Sequence, residues 1–322
     1  DEVPEEQLSE EISKAGIVGL GGAAFPMHVK LRPPEDQPVD VLMVNGCECE
    51  PYLTSDHRVM LERPEHVFQG IRIVLRSLGI SRAVIGIEAN KPDAIEVMQD
   101  HIPDDLDIRV QALEVKYPQG AEKMLIKAVT GREVPSGKLP ASVGALVQNV
   151  ATTASVAQVF ETGQPLIERI MTVSGRGIRT PGNWVIPFGT KLGDVIAASG
   201  GFTEDAAEIV FGGPMMGQSQ ASLDVPVLKA TGGILVLSKD ECKKQEIMPC
   251  IRCGKCIDAC PVFLNPQLMG ALARVDRYEE MTENNLGDCM LCGCCSFVCP
   301  SNIPLSQLFA MSKIQLNRLK AA

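Results

Sequence analysis

The chain has 322 residues, 45% of them hydrophobic, enough for roughly two domains with cores of their own. Thirty basic residues against forty acidic give a net charge of −10, which excludes a broad basic face for nucleic acid and a polybasic membrane anchor. No run of about eighteen apolar residues is present to span a bilayer, the start lacks the basic and apolar regions of a signal peptide, and the missing initiator Met reads as a truncated or processed chain.

The first motif in chain order is Gly16-Ile17-Val18-Gly19-Leu20-Gly21-Gly22-Ala23-Ala24-Phe25-Pro26, followed by Lys30. Glycines at 19, 21 and 22 let backbone N–H groups approach an anion, and Lys30 supplies a charge for a phosphate. The spacing is not the G-x-G-x-x-G of a dinucleotide fold, and a glycine-rich turn with a solvated lysine is the plainer reading of the same residues.

Strand-like runs Val39–Val44, Arg82–Ile87 and Ile108–Leu113 alternate with helix-like stretches Glu65–Leu78, Lys91–His101 and Gly120–Thr130, the pattern of an α/β sheet. After the first strand comes Asn45-Gly46-Cys47-Glu48-Cys49-Glu50-Pro51-Tyr52, then Asp56-His57-Arg58. Glu48 and Glu50 thus sit at the carboxyl end of a strand, where open α/β sheets bind ligands. A charged, solvated loop explains them equally well, and Cys47 with Cys49 as zinc ligands is a further option. The stretch Leu139–Phe160 reads as a buried helix.

From Ile170 to Ser238 the texture changes to short strands broken by glycines, Thr172–Gly175, Trp184–Pro187, Ile209–Gly213 and Gly232–Leu237, with one helix, Leu192–Ser199, stopped by Gly200-Gly201. A small β-rich module is expected there.

Eight of the twelve cysteines fall in a repeat near the C-terminus, Cys250, Cys253, Cys256, Cys260-Pro261 and Cys289, Cys292, Cys295, Cys299-Pro300, each obeying C-x2-C-x2-C-x3-C-P. Clustered thiols mean metal rather than disulfide, and a reducing compartment. Three thiols at this spacing reach three corners of one [4Fe-4S] cubane, and the fourth points to a second cluster. One cluster therefore takes Cys250, Cys253, Cys256 and Cys299, and the other Cys289, Cys292, Cys295 and Cys260. A pair of zinc sites is the rival, but a tetrahedron needs neither the triplet nor the proline. Leu268, Leu272 and Val275 predict a helix between the motifs, and Leu305, Leu308, Phe309, Ser312 and Leu316 another over 303–319. Cys294 reads as a spare small hydrophobe, and Cys242 has no assignment.

Together these pieces resemble the RnfC family of Rnf electron-transport complexes and, more distantly, the flavin-binding subunit of respiratory complex I, over nearly the whole chain. Residues 19–26 with Lys30 resemble the family's flavin-phosphate loop. Asn45–Pro51 resembles the complex I stretch Asn-Ala-Asp-Glu-Gly-Glu-Pro, and Tyr117-Pro118-Gln119-Gly120-Ala121-Glu122 and Gln148-Asn149-Val150 resemble two further flavin-site segments. Leu20 stands where complex I has an arginine, Cys47 where it has an aspartate and Ala151 where it has a glutamate.

The resemblance implies FMN held by Gly19, Gly21, Gly22, Lys30, Asn45, Glu48 and Asn149, and an NAD(H) pocket bordered by Phe25, Glu50 and Glu122. The fold class it implies is α/β: a complex I flavoprotein-like FMN/NAD(H) domain over 1–165, a β-grasp (SLBB) module over 166–239 and a helical two-[4Fe-4S] ferredoxin-type domain over 240–322. Hydride carries two electrons and a cluster accepts one, so a flavin, which exchanges either, is the converter. The implied protein is an NAD-dependent oxidoreductase, a peripheral electron-input/output subunit on the cytoplasmic side of the membrane. Its expected partners are the membrane subunits and ferredoxin-like subunit of an Rnf complex and, indirectly, ferredoxin. A microcompartment cobalamin reductase, an electron-wire subunit without NAD activity, and a structural zinc protein are the other readings.

Overall fold

The structure is a computed structural model that describes residues 3–242 and 245–321. It divides into two compact units, separated after Cys242. The larger opens with helices α1 (Glu5–Lys14) and α2 (Met27–Lys30), then β1 (Val41–Asn45), α3 (Ser55–Glu62), α4 (Pro64–Leu78), β2 (Arg82–Glu88), α5 (Pro92–Asp100), β3 (Asp107–Leu113), α6 (Glu122–Thr130), β4 (Ala145–Asn149) and α7 (Val150–Thr162). The four strands form an all-parallel sheet in the order β3-β2-β1-β4. Central β1 is an aliphatic run buried on both faces, as a sheet covered by helices requires.

The expected helix over Leu139–Phe160 is corrected. Pro140–Val143 is a short 3-10 turn, Ala145–Asn149 is strand β4, and only Val150–Thr162 is helical. A continuous apolar run fits a buried strand as well as a buried helix. Gly144, at φ 73°, turns the chain into β4, and the Asn149 side chain caps α7 by accepting from Thr152 N.

A second sheet follows, built from β5 (Glu168–Ser174), β6 (Gly182–Pro187), β7 (Ala206–Phe211), β8 (Gln218–Ser219) and β9 (Gly233–Ser238), with α8 (Leu192–Ala198) between β6 and β7. Its order is β6-β5-β9-β7-β8, with β5 and β9 parallel and the other pairs antiparallel. Leu192, Val195 and Ile196 of α8 share one core with Met171, Val173, Ile186, Ile234 and Val236.

The smaller unit is helical: α9 (Lys255–Asp258), α10 (Pro266–Ala273), α11 (Tyr278–Glu283), α12 (Cys294–Phe297) and α13 (Leu305–Ala321). Its core gathers Leu264, Met269, Leu272, Met281, Leu286, Ile303, Leu305 and Phe309. The helix expected from Leu268, Leu272 and Val275 ends earlier: α10 stops at Ala273, Val275 is exposed, and Met269 rather than Leu268 points inward. Among the described residues no helix is long and apolar enough to cross a membrane.

Helices α4 and α7 cross so closely that a Cβ on Gly70 would lie 1.9 Å from the Thr153 carbonyl oxygen. In an open helix Gly→Ala stabilises by about 1 kcal/mol. Here Gly70→Ala is expected to destabilise by about 1–3 kcal/mol through overpacking, read as a lowered urea midpoint; a raised midpoint contradicts this packing.

Candidate functional site

Strands β1, β2 and β3 step outward in one direction, and β4 returns to the other side of β1, so the chain reverses between β1 and β4. Ligands of open α/β sheets bind outside the carboxyl ends of the strands at such a switch point. The last residues of these two strands are Asn45 and Asn149, paired in register. Strand order therefore joins two motifs that lie a hundred residues apart in sequence.

The glycine loop leaves α1, and Val18 and Pro26 bridge it into a hairpin closed by Gly19 N donating to Phe25 O at 2.9 Å. Leu20 is pinned on both sides: its N–H donates to Thr152 Oγ1 at 2.8 Å, and its carbonyl accepts from Arg169 Nη2 at 3.0 Å. Beyond it the loop is open. Gly21 and Gly22 are exposed, and among the described residues the amides of Gly21, Gly22, Ala23 and Ala24 have no hydrogen-bond partner. Gly22 (φ 140°) and Ala24 (φ 48°) take left-handed conformations there. A Cβ on Gly21 would sit 3.2 Å from that of Asn149, so the open tip lies beside the switch point. Phe25 is half-exposed, and Lys30 Nζ donates to Val147 O at 3.0 Å and Glu122 Oε1 at 3.3 Å.

Asn45 Nδ2 donates to Gly120 O at 2.8 Å, and its Oδ1 accepts from Cys47 N at 3.0 Å. A Cβ on Gly120 would stand 2.3 Å from Cys47 O, so glycine is required where these two loops meet. Glu48 points inward. It accepts from Ser55 Oγ, Asp56 N and His57 N at 3.2, 3.0 and 3.1 Å and so caps α3 from outside the helix. Asn149 Nδ2 donates to Asp56 Oδ2 at 2.6 Å. Arg169, only 6% exposed, faces both carboxylates, and Lys91 Nζ bonds Glu88 at 3.1 Å and Glu48 O at 3.3 Å. Burial first, then the charge of Asp56, pushes Glu48 up to about 7, while burial also raises Asp56. Glu50 turns the other way, its carboxylate accepting from Met215 N at 3.1 Å and Met216 N at 2.8 Å of the second sheet's β7–β8 loop.

Sequence reasoning had no means of finding Arg169, Lys91 with Glu88, or Met215-Met216. Each is an ordinary residue in its own segment and acquires its partner only through tertiary contact. Cys47 is buried with its thiol 3.5 Å from Gly86 O.

In the helical unit the two cysteine repeats share one backbone path. Arg252 and Leu291, Gly254 and Gly293, and Phe263 and Asn302 are left-handed at matching steps, and short helices α9 and α12 follow the second glycine pair. The thiols of Cys250, Cys253, Cys256 and Cys299 line one pocket, and those of Cys260, Cys289, Cys292 and Cys295 line another, with Cys294 beside them. Cys250 and Cys253 are exposed, whereas Cys292 and Cys295 are buried. Among the described residues no three His, Cys, Asp or Glu groups converge on a point as a single ion needs, with zinc–sulfur bonds of about 2.3 Å. Four thiols spread around a cavity suit the corners of a cubane instead.

The chain is 50% identical over 272 residues to the RnfC-type component of the proton-translocating ferredoxin:NAD(+) oxidoreductase complex of Clostridium ljungdahlii, covering 84% of this chain and 59% of that relative. It is 43% identical over 288 residues to the Na(+)-translocating counterpart of Acetobacterium woodii, covering 89% of this chain and 65% of the relative. The corresponding component of the ion-translocating oxidoreductase complex of Rhodobacter capsulatus is 43% identical over 313 residues. The chain belongs to this RnfC family. It spans about 60% of the length of these relatives.

Within this RnfC family member, residues 12–158 match the Nuo51 FMN-binding domain, 170–219 the SLBB domain and 246–303 the 4Fe-4S dicluster domain. An NAD+-reducing [NiFe]-hydrogenase in its H2-reduced state has the same fold, with a TM-score of 0.67 at 19% identity over 97% of this chain and 61% of that one. The fold class is therefore a complex I flavoprotein-like α/β domain, an SLBB module and a two-cluster ferredoxin-type domain.

Because Glu48 holds its proton up to about 7 when folded, against 4.5 ordinarily, the native state binds the extra proton between those values. Stability from this group is then expected to fall as pH rises from about 4.5 to about 7 and to stay level outside that window. Glu48→Gln is expected to cost about 1 kcal/mol of capping and to remove that slope from the pH profile of the urea midpoint. An unchanged slope contradicts the assignment.

Proposed function

We propose that this chain is the peripheral electron-input/output subunit of a membrane-bound, ion-translocating NADH:ferredoxin oxidoreductase of the Rnf type. The division of labour is FMN and NAD(H) binding over 1–165, a β-grasp module over 166–239 and cluster binding over 240–322. The observation that carries the reading is the presence, in one chain, of two separate four-thiol pockets and an anion-ready glycine loop at the switch point of a parallel sheet.

The residues fit the groups they are assigned. Unpartnered amides at 21–24 suit a phosphate, with Gly19, Gly21 and Gly22 permitting its close approach and Lys30 supplying positive charge at the edge. Asn45, Glu48 and Asn149 shape the floor of the crevice. Glu48 and Asn149 do so by holding the starts of α3 and α7, since their side chains are committed there. Phe25, Glu50 and Glu122 border the NAD(H) side, and Glu50 reaches a nucleotide only by releasing the Met215 and Met216 amides. Cys250, Cys253, Cys256 and Cys299 hold one [4Fe-4S] cluster, and Cys260, Cys289, Cys292 and Cys295 the other.

Bound FMN supplies the exchange between two-electron and one-electron transfer, and the clusters carry single electrons. The protein positions them. The partners are the membrane subunits and ferredoxin-like subunit of the complex, with ferredoxin as the distant donor or acceptor, on the cytoplasmic side of the membrane. Ion movement belongs to those other subunits.

An anaerobic NADH titration of the FMN-loaded, iron–sulfur-reconstituted chain, followed by visible absorbance, tests the reading. Loss of the flavin bands followed by the cluster bands is the expected result. Bleaching by dithionite but not by NADH contradicts it in favour of a wire or another donor, and a colourless zinc-loaded sample contradicts the clusters themselves.

A further inference from the structure

The glycine loop has a free tip and a clamped base, and the clamps come from the other sheet. Arg169 belongs to β5, the first strand of the second sheet, yet its guanidinium reaches across to donate to Leu20 O at 3.0 Å as well as to Lys229 O at 2.9 Å. Lys229, from the same module, donates through Nζ to Gly16 O at 2.6 Å and sits 5.9 Å from the Phe188 ring centre. Leu166 N, in the connection to β5, donates to Ala15 O at 2.9 Å. Residues Ala15, Gly16 and Leu20 of the loop base are therefore held by groups that lie outside the parallel-sheet domain. On the inner side only Thr152 Oγ1 takes part, accepting from Leu20 N.

Arg169 suits this task for two reasons. A guanidinium has five donors in a rigid fork, so one side chain ties two carbonyls from separate segments into fixed separation. It is also buried opposite Glu48 and Asp56, whose charges hold the cation in a place where it would otherwise be costly. The group that fixes the loop is thus fixed by the carboxylates of the neighbouring loop.

We propose that Arg169 is a positioning residue for the flavin-phosphate loop, so that phosphate recognition by the parallel-sheet domain is set by the β-grasp module. The inference rests on the flavin reading above. Through the Leu20 carbonyl, Arg169 orients the peptide that leads directly into Gly21 and Gly22, and so aims their free amides. Lys229 does the same more weakly from the loop's entrance. The β-grasp module is then part of the binding site without touching the ligand.

The test compares FMN with riboflavin, which lacks only the phosphate, binding to the full reconstituted chain by fluorescence quenching. Losing a charge-assisted hydrogen bond that sets the loop should weaken FMN about tenfold in Arg169→Gln and leave riboflavin unchanged. Arg169→Lys, which keeps the charge but cannot span both carbonyls, should fall between. Lys229→Met, a change at a half-buried position, should weaken FMN about threefold in the same selective way, and it serves if Arg169→Gln does not fold. Equal weakening of FMN and riboflavin would mean general loosening and would overturn the proposal. So would unchanged FMN binding in folded variants. A wild-type chain that binds riboflavin and FMN equally overturns the phosphate role of the loop, and one that binds neither overturns the flavin reading and the proposal with it.

Discussion

Two carboxylates buried at the carboxyl end of the central strand organise the larger unit. Glu48 and Asp56 cannot be left bare in an apolar setting, because an unpaired buried charge costs several kcal/mol. Their partners come from three directions: the first amides of α3, the Asn149 amide at the β4–α7 junction and the guanidinium of Arg169 from the second sheet. Satisfying those two groups fixes how the 45–52 loop, the start of α7 and strand β5 sit together. Arg169 then extends the arrangement to the glycine loop through Leu20. A single polar network under the switch point thereby holds every loop that borders it, while the tip amides remain free.

The helical unit depends on a different constraint, the reach of a thiol. Three cysteines spaced by two residues serve one cavity, and the next one, after three residues, cannot return to it. The repeat meets this twice with matching left-handed residues, so each motif contributes to both cavities. The apolar core that remains for this unit is modest, centred on Met269, Leu272, Met281, Leu286 and Phe309. Metal binding in such a unit is also folding free energy, which makes cluster insertion and folding one event in the proposed reading.

Much of this was legible in the sequence, for reasons that are local. Strands β1, β2 and β3 and helices α4, α5 and α6 announce themselves by period and by breakers such as Gly79 and Gly131, and each falls within a few residues of its expected span. The cysteine repeat carries its own geometry in its spacing. Three things were not local. The run from Leu139 lacks a period that separates a covered strand from a buried helix, and only pairing with β1 decides it. Strand order, which creates the switch point, is a property of the whole sheet. The commitments of Glu48 to α3 and of Glu50 to Met215 and Met216 join segments whose sequences do not refer to each other.

The proposed electron path joins a flavin crevice to two clusters whose ligands cross between motifs, and that crossing is its sharpest commitment. The most direct measurement is iron and sulfide content, with electron paramagnetic resonance, on two double variants of the reconstituted chain, which should itself hold roughly eight irons. Cys260→Ala with Cys289→Ala is expected to lose one cluster and keep the other, whereas Cys260→Ala with Cys253→Ala is expected to lose both. The reverse pattern, with the first pair losing both clusters and the second keeping one, would place all four thiols of each motif on a single cluster and contradict the crossing.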